Sequence, residues 1–246
     1  MSEIYSEWNG FKSIEFEFEK RKAIIVFPKS TCEGKKWLLK TEYFGAFPNL
    51  EITMLERGYH LAYIANITRW MVPDDIDVKA RFAEFLIEKY SLNRKCVPVG
   101  MSCGGLHAVY FAAKYPEYIS SLYLDAPVMN LLSTPMAIGR VRESNNMIKE
   151  FFDATGITLS ELLNYRNHPI DNAPAILAAN IPIVLVSGDS DTIVPYHENG
   201  YYLSEFYKNG GGEILEIIKP GGDHHPHGLE DNTPIIDFIE KHYSIE

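Results

Sequence analysis

The chain has 246 residues, with 46% hydrophobic and 23% charged side chains and a formal net charge of −10. That length can bury a substantial core in one α/β unit, the composition is that of an ordinary globular chain, and the acidic excess argues against a nucleic-acid partner, whose phosphates it would repel. The N-terminal MSEIYSEWNG has neither a basic nor an apolar stretch, and no apolar run reaches the ~20 residues of a membrane span, so neither a secretory leader nor a membrane partner is expected. Cys32, Cys96 and Cys103 are odd in number and lack metal-ligand spacing, which adds to the expectation of a reducing, cytoplasmic setting.

Residues 12–18 (KSIEFEF) alternate apolar and acidic, which predicts a strand with one wet face. Residues 23–28 (AIIVFP) form a continuous apolar run, as a buried strand does. A long irregular segment is expected over 29–48, then a short helix over 48–57 and a strand over 59–66. A loop carrying Trp70 leads to a helix starting near Pro73. Its Val78, Phe82, Phe85 and Leu86 fall at i, i+4, i+7 and i+8, one apolar face. A buried strand follows over 95–101, with Pro98 expected at its beginning or at a bulge because proline cannot donate to a ladder. A helix over 105–115 ends before Pro116, and 119–128 reads as a further strand.

Residues 129–175 show helical pieces and no strand, which predicts a small helical cap. Met147, Ile148, Phe151 and Phe152 share a face, Gly156 stops that helix, and Thr158 with Glu161 forms a capping box. The βα rhythm resumes with a strand over 181–187, a helix near 197–208 and a strand over 213–218. A last helix has Thr233 as its cap and Pro234 in the first turn. Alternating strands and helices predict a mostly parallel sheet covered on both faces.

In such sheets chemistry gathers at the carboxyl ends of the strands. After 95–101 stands Gly100-Met101-Ser102-Cys103-Gly104, the G-x-S-x-G of a nucleophile elbow, which drives Ser102 to positive φ and uses Gly100 and Gly104 for close strand–helix passage. After 181–187 stands GDSDTIVP with Asp191, and after 213–218 stands PGGDHHPHG with His224. A hydroxyl is a poor nucleophile until an imidazole takes its proton, and a carboxylate sets that imidazole's tautomer. The order Ser102, Asp191, His224 therefore predicts acyl transfer. Asp189 and Asp125 remain rival acids, and His225 and His227 rival bases. The cluster His224-His225-Pro226-His227 with Asp223 also matches a metal-ligand set, a reading the serine elbow argues against. The N–H of Cys103 is the expected first oxyanion donor, and Lys29, after strand 23–28, the expected second. Trp37 and Trp70 are expected to wall the substrate pocket, with Tyr43 and Phe44 as further candidates. Glu42 either orients substrate or pairs with a lysine.

On the segments GMSCGG, GDSDTIVP and PGGDHHPHGL the chain resembles the α/β-hydrolase superfamily over nearly its whole length. GKKWLLKTEYFG, LERGYHLAYI and GGDHHPHGLEDNTPIIDFI look more narrowly like compact bacterial hydrolases near the prolyl-oligopeptidase-like and carbohydrate-esterase branches. The resemblance implies Ser102 as nucleophile, Asp191 as acid, His224 as base and no metal or organic cofactor. It implies hydrolysis of a small-molecule carboxylic ester, with short-chain acyl groups and acylated sugars as the expected substrates; lyase and perhydrolase chemistry on the same triad are minor alternatives. It departs in having Pro28-Lys29 where a His-Gly pair is usual, and it lacks the large N-terminal propeller of prolyl oligopeptidases, which weakens an endopeptidase reading. An amidase or peptidase on the same machinery is the alternative, and a non-catalytic binding module a more distant one.

Overall fold

The computed structural model describes residues 3–142 and 145–243. Its strands are β1 (Glu3–Trp8), β2 (Phe11–Phe18), β3 (Arg21–Val26), β4 (Trp37–Lys40), β5 (His60–Ile64), β6 (Val97–Met101), β7 (Leu122–Asp125), β8 (Ile183–Gly188) and β9 (Ile214–Lys219). Its helices are α1 (Asn49–Glu56), α2 (Pro73–Tyr90), α3 (Cys103–Lys114), α4 (Asn145–Thr155), α5 (Leu159–Leu163), α6 (Ala173–Ala178), α7 (Gly200–Gly210) and α8 (Thr233–His242). The strands form one sheet in the order β1-β2-β3-β5-β4-β6-β7-β8-β9. The pairs β1/β2, β2/β3 and β3/β5 are antiparallel, and every pair from β5/β4 to β8/β9 is parallel. The strands β4 to β9 therefore share one carboxyl edge, and β3 ends at the opposite edge.

Side chains alternate across a strand, and this divides the interior into two cores. Leu39, Leu122, Leu124, Ile183 and Leu185 face a core closed by α2, α3, α6 and α7 through Phe82, Val109, Phe111, Ile176 and Leu203. Leu38, Val97, Val99, Tyr123, Val184 and Val186 face a second core closed by α1 and α8 through Leu50, Met54, Leu55, Ile235, Ile236 and Ile239. Fully burying one such aliphatic side chain contributes roughly 1.5–3 kcal/mol, so the central strands are anchored from both sides.

Pro98 is the second residue of β6. Three steps along β6, Cys96 to Val99, face four along its neighbour, Ile119 to Tyr123. The missing N–H thus coincides with a one-residue slip of the ladder, the bulge expected of a proline there. Between β7 and β8 lie α4 and α5, with no strand among the described residues of 129–175; residues 143 and 144 of that segment lie outside them. Thr158 and Glu161 make the capping box reciprocally at the start of α5, and Gly156 follows α4 at a φ of 69°. Thr233, expected as the cap of the last helix, is instead its first residue, preceded by Asn232, whose side chain makes no capping bond. Among the described residues no helix is long and apolar enough to cross a membrane.

Candidate active site

Ser102 lies between β6 and α3 with φ 53° and ψ −121°, the strained elbow its sequence predicts. The turn is held from both sides. Ser102 N–H donates to Asp125 O at 2.9 Å, and its carbonyl accepts from Gly105 N–H at 2.9 Å and Val128 N–H at 3.1 Å. Gly100 is required because β6 passes α3 so closely that a Cβ there would stand 2.6 Å from Gly104 O.

Ser102 Oγ is 3.1 Å from His224 Nε2, and His224 Nδ1 is 2.7 Å from Asp191 Oδ2. The other oxygen of Asp191 accepts the backbone N–H groups of Ile193 and Val194, each at 2.8 Å. Burial opposes the charge on Asp191, but the hydrogen bond and charge of His224 and the N–H groups of Val194 and Ile193 outweigh it and hold its pKa below the usual carboxylate value. An ionised Asp191 fixes Nδ1–H of His224 toward itself and leaves Nε2 as the acceptor facing Ser102. The rival acids have other partners. Asp189 braces its own loop, accepting from Ser190 Oγ–H at 2.9 Å and Gly221 N–H at 2.8 Å. Asp125, fully buried, stands 2.8 Å from His227 Nδ1 and also accepts Tyr123 O–H at 2.9 Å and Gly228 N–H at 2.6 Å. His227 is thus tied to Asp125 as His224 is to Asp191. His225 is exposed and stacks on Phe47 at 5.4 Å.

The acid and histidine loops are laced together. Ser190 N–H donates to Gly222 O at 2.9 Å, and a Cβ on Gly188 would stand 2.1 Å from that same oxygen. Gly188→Ala is therefore expected to push the two loops apart, lowering stability by roughly 1–3 kcal/mol and cutting turnover at temperatures well below the unfolding midpoint. Thermal unfolding and kcat on the purified variant check this; a wild-type midpoint with wild-type kcat would refute the tight passage.

The oxyanion expectation needs a correction. The N–H of Cys103 opens α3 beside Ser102, as predicted, but Lys29 does not provide the second donor. It follows β3, whose antiparallel course delivers it to the far edge of the sheet, where Lys29 Nζ lies over the Phe11 ring at 5.5 Å. The loop that reaches the elbow follows β4 instead. Thr41 Oγ1 is 2.7 Å from Gly104 O and 3.0 Å from Val99 O, and Tyr43 lines the cavity with Ser102 and Cys103. A buried ion pair between Lys40 and Glu51 anchors the start of this loop to α1.

Trp37 and Trp70 are also corrected. Trp37 begins β4 at the amino edge, is fully buried, and donates its indole N–H to Asn93 O at 2.8 Å. Trp70 is buried against Phe151 of α4 at 5.8 Å, edge to face. Neither lines the cavity over Ser102, which holds about 370 Å³. Its walls are Tyr43, Phe47, Met147 and Ile193, with Ser102, His224, His225 and His227 at one side and Arg69 at another. Phe44 packs on Trp8 and Tyr63 instead, and Glu42 accepts from Asn66 Nδ2.

Arg69 and Phe47 went unnoticed in the sequence. Arg69 follows a turn held by buried Asp75, which accepts Ile67 N–H at 2.7 Å and pairs with Arg21; the Arg69 guanidinium grips Glu150 of α4, with Nε–H donating at 2.9 Å. Burial opposes its charge, but Glu150 and the Tyr43 hydroxyl raise its pKa, so it stays a cation. Burial pushes the Cys103 thiol up to about 11, so it is no rival nucleophile to Ser102 at neutral pH.

The prolyl oligopeptidase family model matches residues 40–244. Similar solved structures include an acylaminoacyl peptidase from Pyrococcus horikoshii, at 15% identity and a TM-score of 0.68 over 87% of this chain and 38% of that one. Puromycin hydrolase matches at 17% identity and a TM-score of 0.68 over 89% of this chain and 36% of that one. The chain thus spans little more than a third of the length of these structures, and at such identity they show the shared fold. No curated protein matches the chain by sequence. With the match running from the last residue of β4 past the end of α8 and taking in the elbow, acid and histidine loops, the chain belongs to the prolyl oligopeptidase family, serine hydrolases of the α/β-hydrolase fold.

Proposed function

We propose that the chain hydrolyses amide bonds of small peptides or aminoacyl compounds through an acyl-enzyme on Ser102. The observation that carries this is the relay from Asp191 through His224 to Ser102, at 2.7 and 3.1 Å, opening on one cavity. His224 takes the proton of Ser102 as Oγ attacks the carbonyl carbon. The carbonyl oxygen gains the electron pair and is received by the N–H of Cys103 and by a second donor from the loop Thr41–Tyr43. The tetrahedral adduct collapses, and the leaving nitrogen departs with the proton that His224 returns. Water then gives a proton to His224 as it attacks the acyl-enzyme carbon; the bond to Ser102 Oγ breaks, His224 returns the proton to Oγ, and the acid leaves. The apolar walls of Tyr43, Phe47, Met147 and Ile193 suit an uncharged side chain or acyl group. From the segment 129–175, for which a cap is expected, Thr134 and, on α4, Met147 line the cavity.

An ester passes through the same acyl-enzyme, so the carboxylesterase reading differs only in the leaving group. Membership of a family named for a peptidase, and two structural neighbours named as a peptidase and as puromycin hydrolase, support the amide. A paired screen of aminoacyl p-nitroanilides and p-nitrophenyl acyl esters decides, each rate being referred to its uncatalysed reaction. The expected acceleration is larger on the amide by about tenfold or more. The reverse ratio transfers the proposal to ester hydrolysis. A fluorophosphonate that fails to label the folded chain would leave a binding module.

A further inference from the structure

Three imidazoles meet beside Ser102, and the relay uses only one of them. The ring centroids of His224 and His225 are 4.8 Å apart, those of His224 and His227 4.8 Å, and those of His225 and His227 5.0 Å. One ring nitrogen from each lies within 4.8 Å of the other two. His224 and His227 are held alike, each with Nδ1 against a buried carboxylate, Asp191 at 2.7 Å and Asp125 at 2.8 Å. That arrangement directs both Nε2 lone pairs away from the carboxylates. It is the outer-shell partnership that orients histidines for a metal and strengthens them as donors. A serine relay needs one His–carboxylate pair; the second pair and the exposed third ring have no part in it.

We infer that His224, His225 and His227 form a binding site for a divalent transition metal, Zn²⁺ above all, whose occupation switches the hydrolase off. Three neutral imidazoles with water or Ser102 Oγ as fourth ligand make a tetrahedral set suited to Zn²⁺. Ligand nitrogens around tetrahedral zinc stand about 3.4 Å apart, so nitrogens up to 4.8 Å apart must close by as much as about 1.4 Å. His225 is free to do so, being exposed and held by its stack on Phe47. The buried charges of Asp191 and Asp125 favour the cation, and Arg69, the cation lining the same cavity, is neutralised by Glu150. Bound metal occupies the Nε2 lone pair that must receive the Ser102 proton, so hydrolysis stops until the metal leaves. This inhibition rests on the proposed relay, whereas the binding itself does not.

The two are separated by measuring binding on an inactive protein. Ser102→Ala protein is titrated with ZnCl₂ in a calorimeter and with CoCl₂ in a spectrophotometer. One metal per chain is expected, with the intense visible bands of tetrahedral Co²⁺. His225→Gln in the same background should bind at least about tenfold more weakly, and so should His227→Gln. In the active protein, Zn²⁺ should inhibit reversibly, with restoration by EDTA, and the inhibition constant of His225→Gln should rise by the same factor against that variant's own activity. Absence of stoichiometric binding to Ser102→Ala protein, or an affinity in both histidine variants unchanged from that of Ser102→Ala protein, overturns the site whatever the enzyme hydrolyses. Metal binding by a chain that never labels with fluorophosphonate would keep the site and discard the relay.

Discussion

Ser102→Ala is expected to lower kcat by roughly 10⁵–10⁶-fold, because removing the nucleophile of such a relay costs about as much as removing all of it. The protein should remain folded. Among the described residues Ser102 Oγ has one hydrogen-bond partner, His224, while the backbone of residue 102 keeps its bonds to Asp125, Gly105 and Val128. The elbow adds a second arm to the test. At φ 53° and ψ −121° a residue with a Cβ is strained whatever its side chain. Ser102→Gly should therefore be as inactive as Ser102→Ala yet more stable than it by roughly 1–2 kcal/mol, the relieved strain exceeding the extra chain entropy of glycine. Chemical denaturation of the two variants and kcat on the preferred substrate read both effects. Residual turnover within tenfold of wild type in Ser102→Ala would remove the acyl-enzyme; equal stability would mean the elbow stores no strain.

The site was legible because its members are local to strong signals. The elbow is five consecutive residues, and Asp191 and His224 each follow an apolar strand. The oxyanion loop was not, and the reason is a single short strand. WLLK has four residues and follows Glu33-Gly34-Lys35-Lys36, so β4 carries too little apolar run to show, and its last residue, Lys40, is a charge buried only because Glu51 of α1 meets it. Without β4 the loop was attached to β3, whose apolar run is unmistakable but whose direction no local pattern reveals. The errors over Lys29 and Trp37 both descend from that. The edge strand β1 escaped for another reason: its residues are exposed on both faces, so nothing alternates. Arg69 follows a turn that Asp75 holds through Ile67 N–H, with Asp75 paired in turn to Arg21 of β3, and its partner Glu150 is 81 residues away, so it had no local signal of its own.

The pairing of Asp125 with His227 joins a rival acid and a rival base to each other, across 102 residues, instead of to Ser102. Two carboxylates thus hold two imidazoles at one cavity, and substitution can tell which pair does the chemistry. Asp191→Asn is expected to lower kcat by about 10⁴-fold, since an amide donor beside Nδ1 favours the tautomer with its proton on Nε2, leaving nothing there to accept from Ser102. Asp125→Asn is expected to act on the fold. Asp125 satisfies His227, the Tyr123 hydroxyl and Gly228 N–H with no solvent access. An amide cannot accept from all three, so one buried donor is stranded at a cost of about 1–3 kcal/mol, while kcat stays within about tenfold because the bonds of Asp191 are untouched. Unfolding midpoints and kcat on both variants make the comparison. If Asp125→Asn loses the large factor and Asp191→Asn keeps its turnover, the working base is His227, and the 3.1 Å approach of His224 to Ser102 is not the bond that moves the proton.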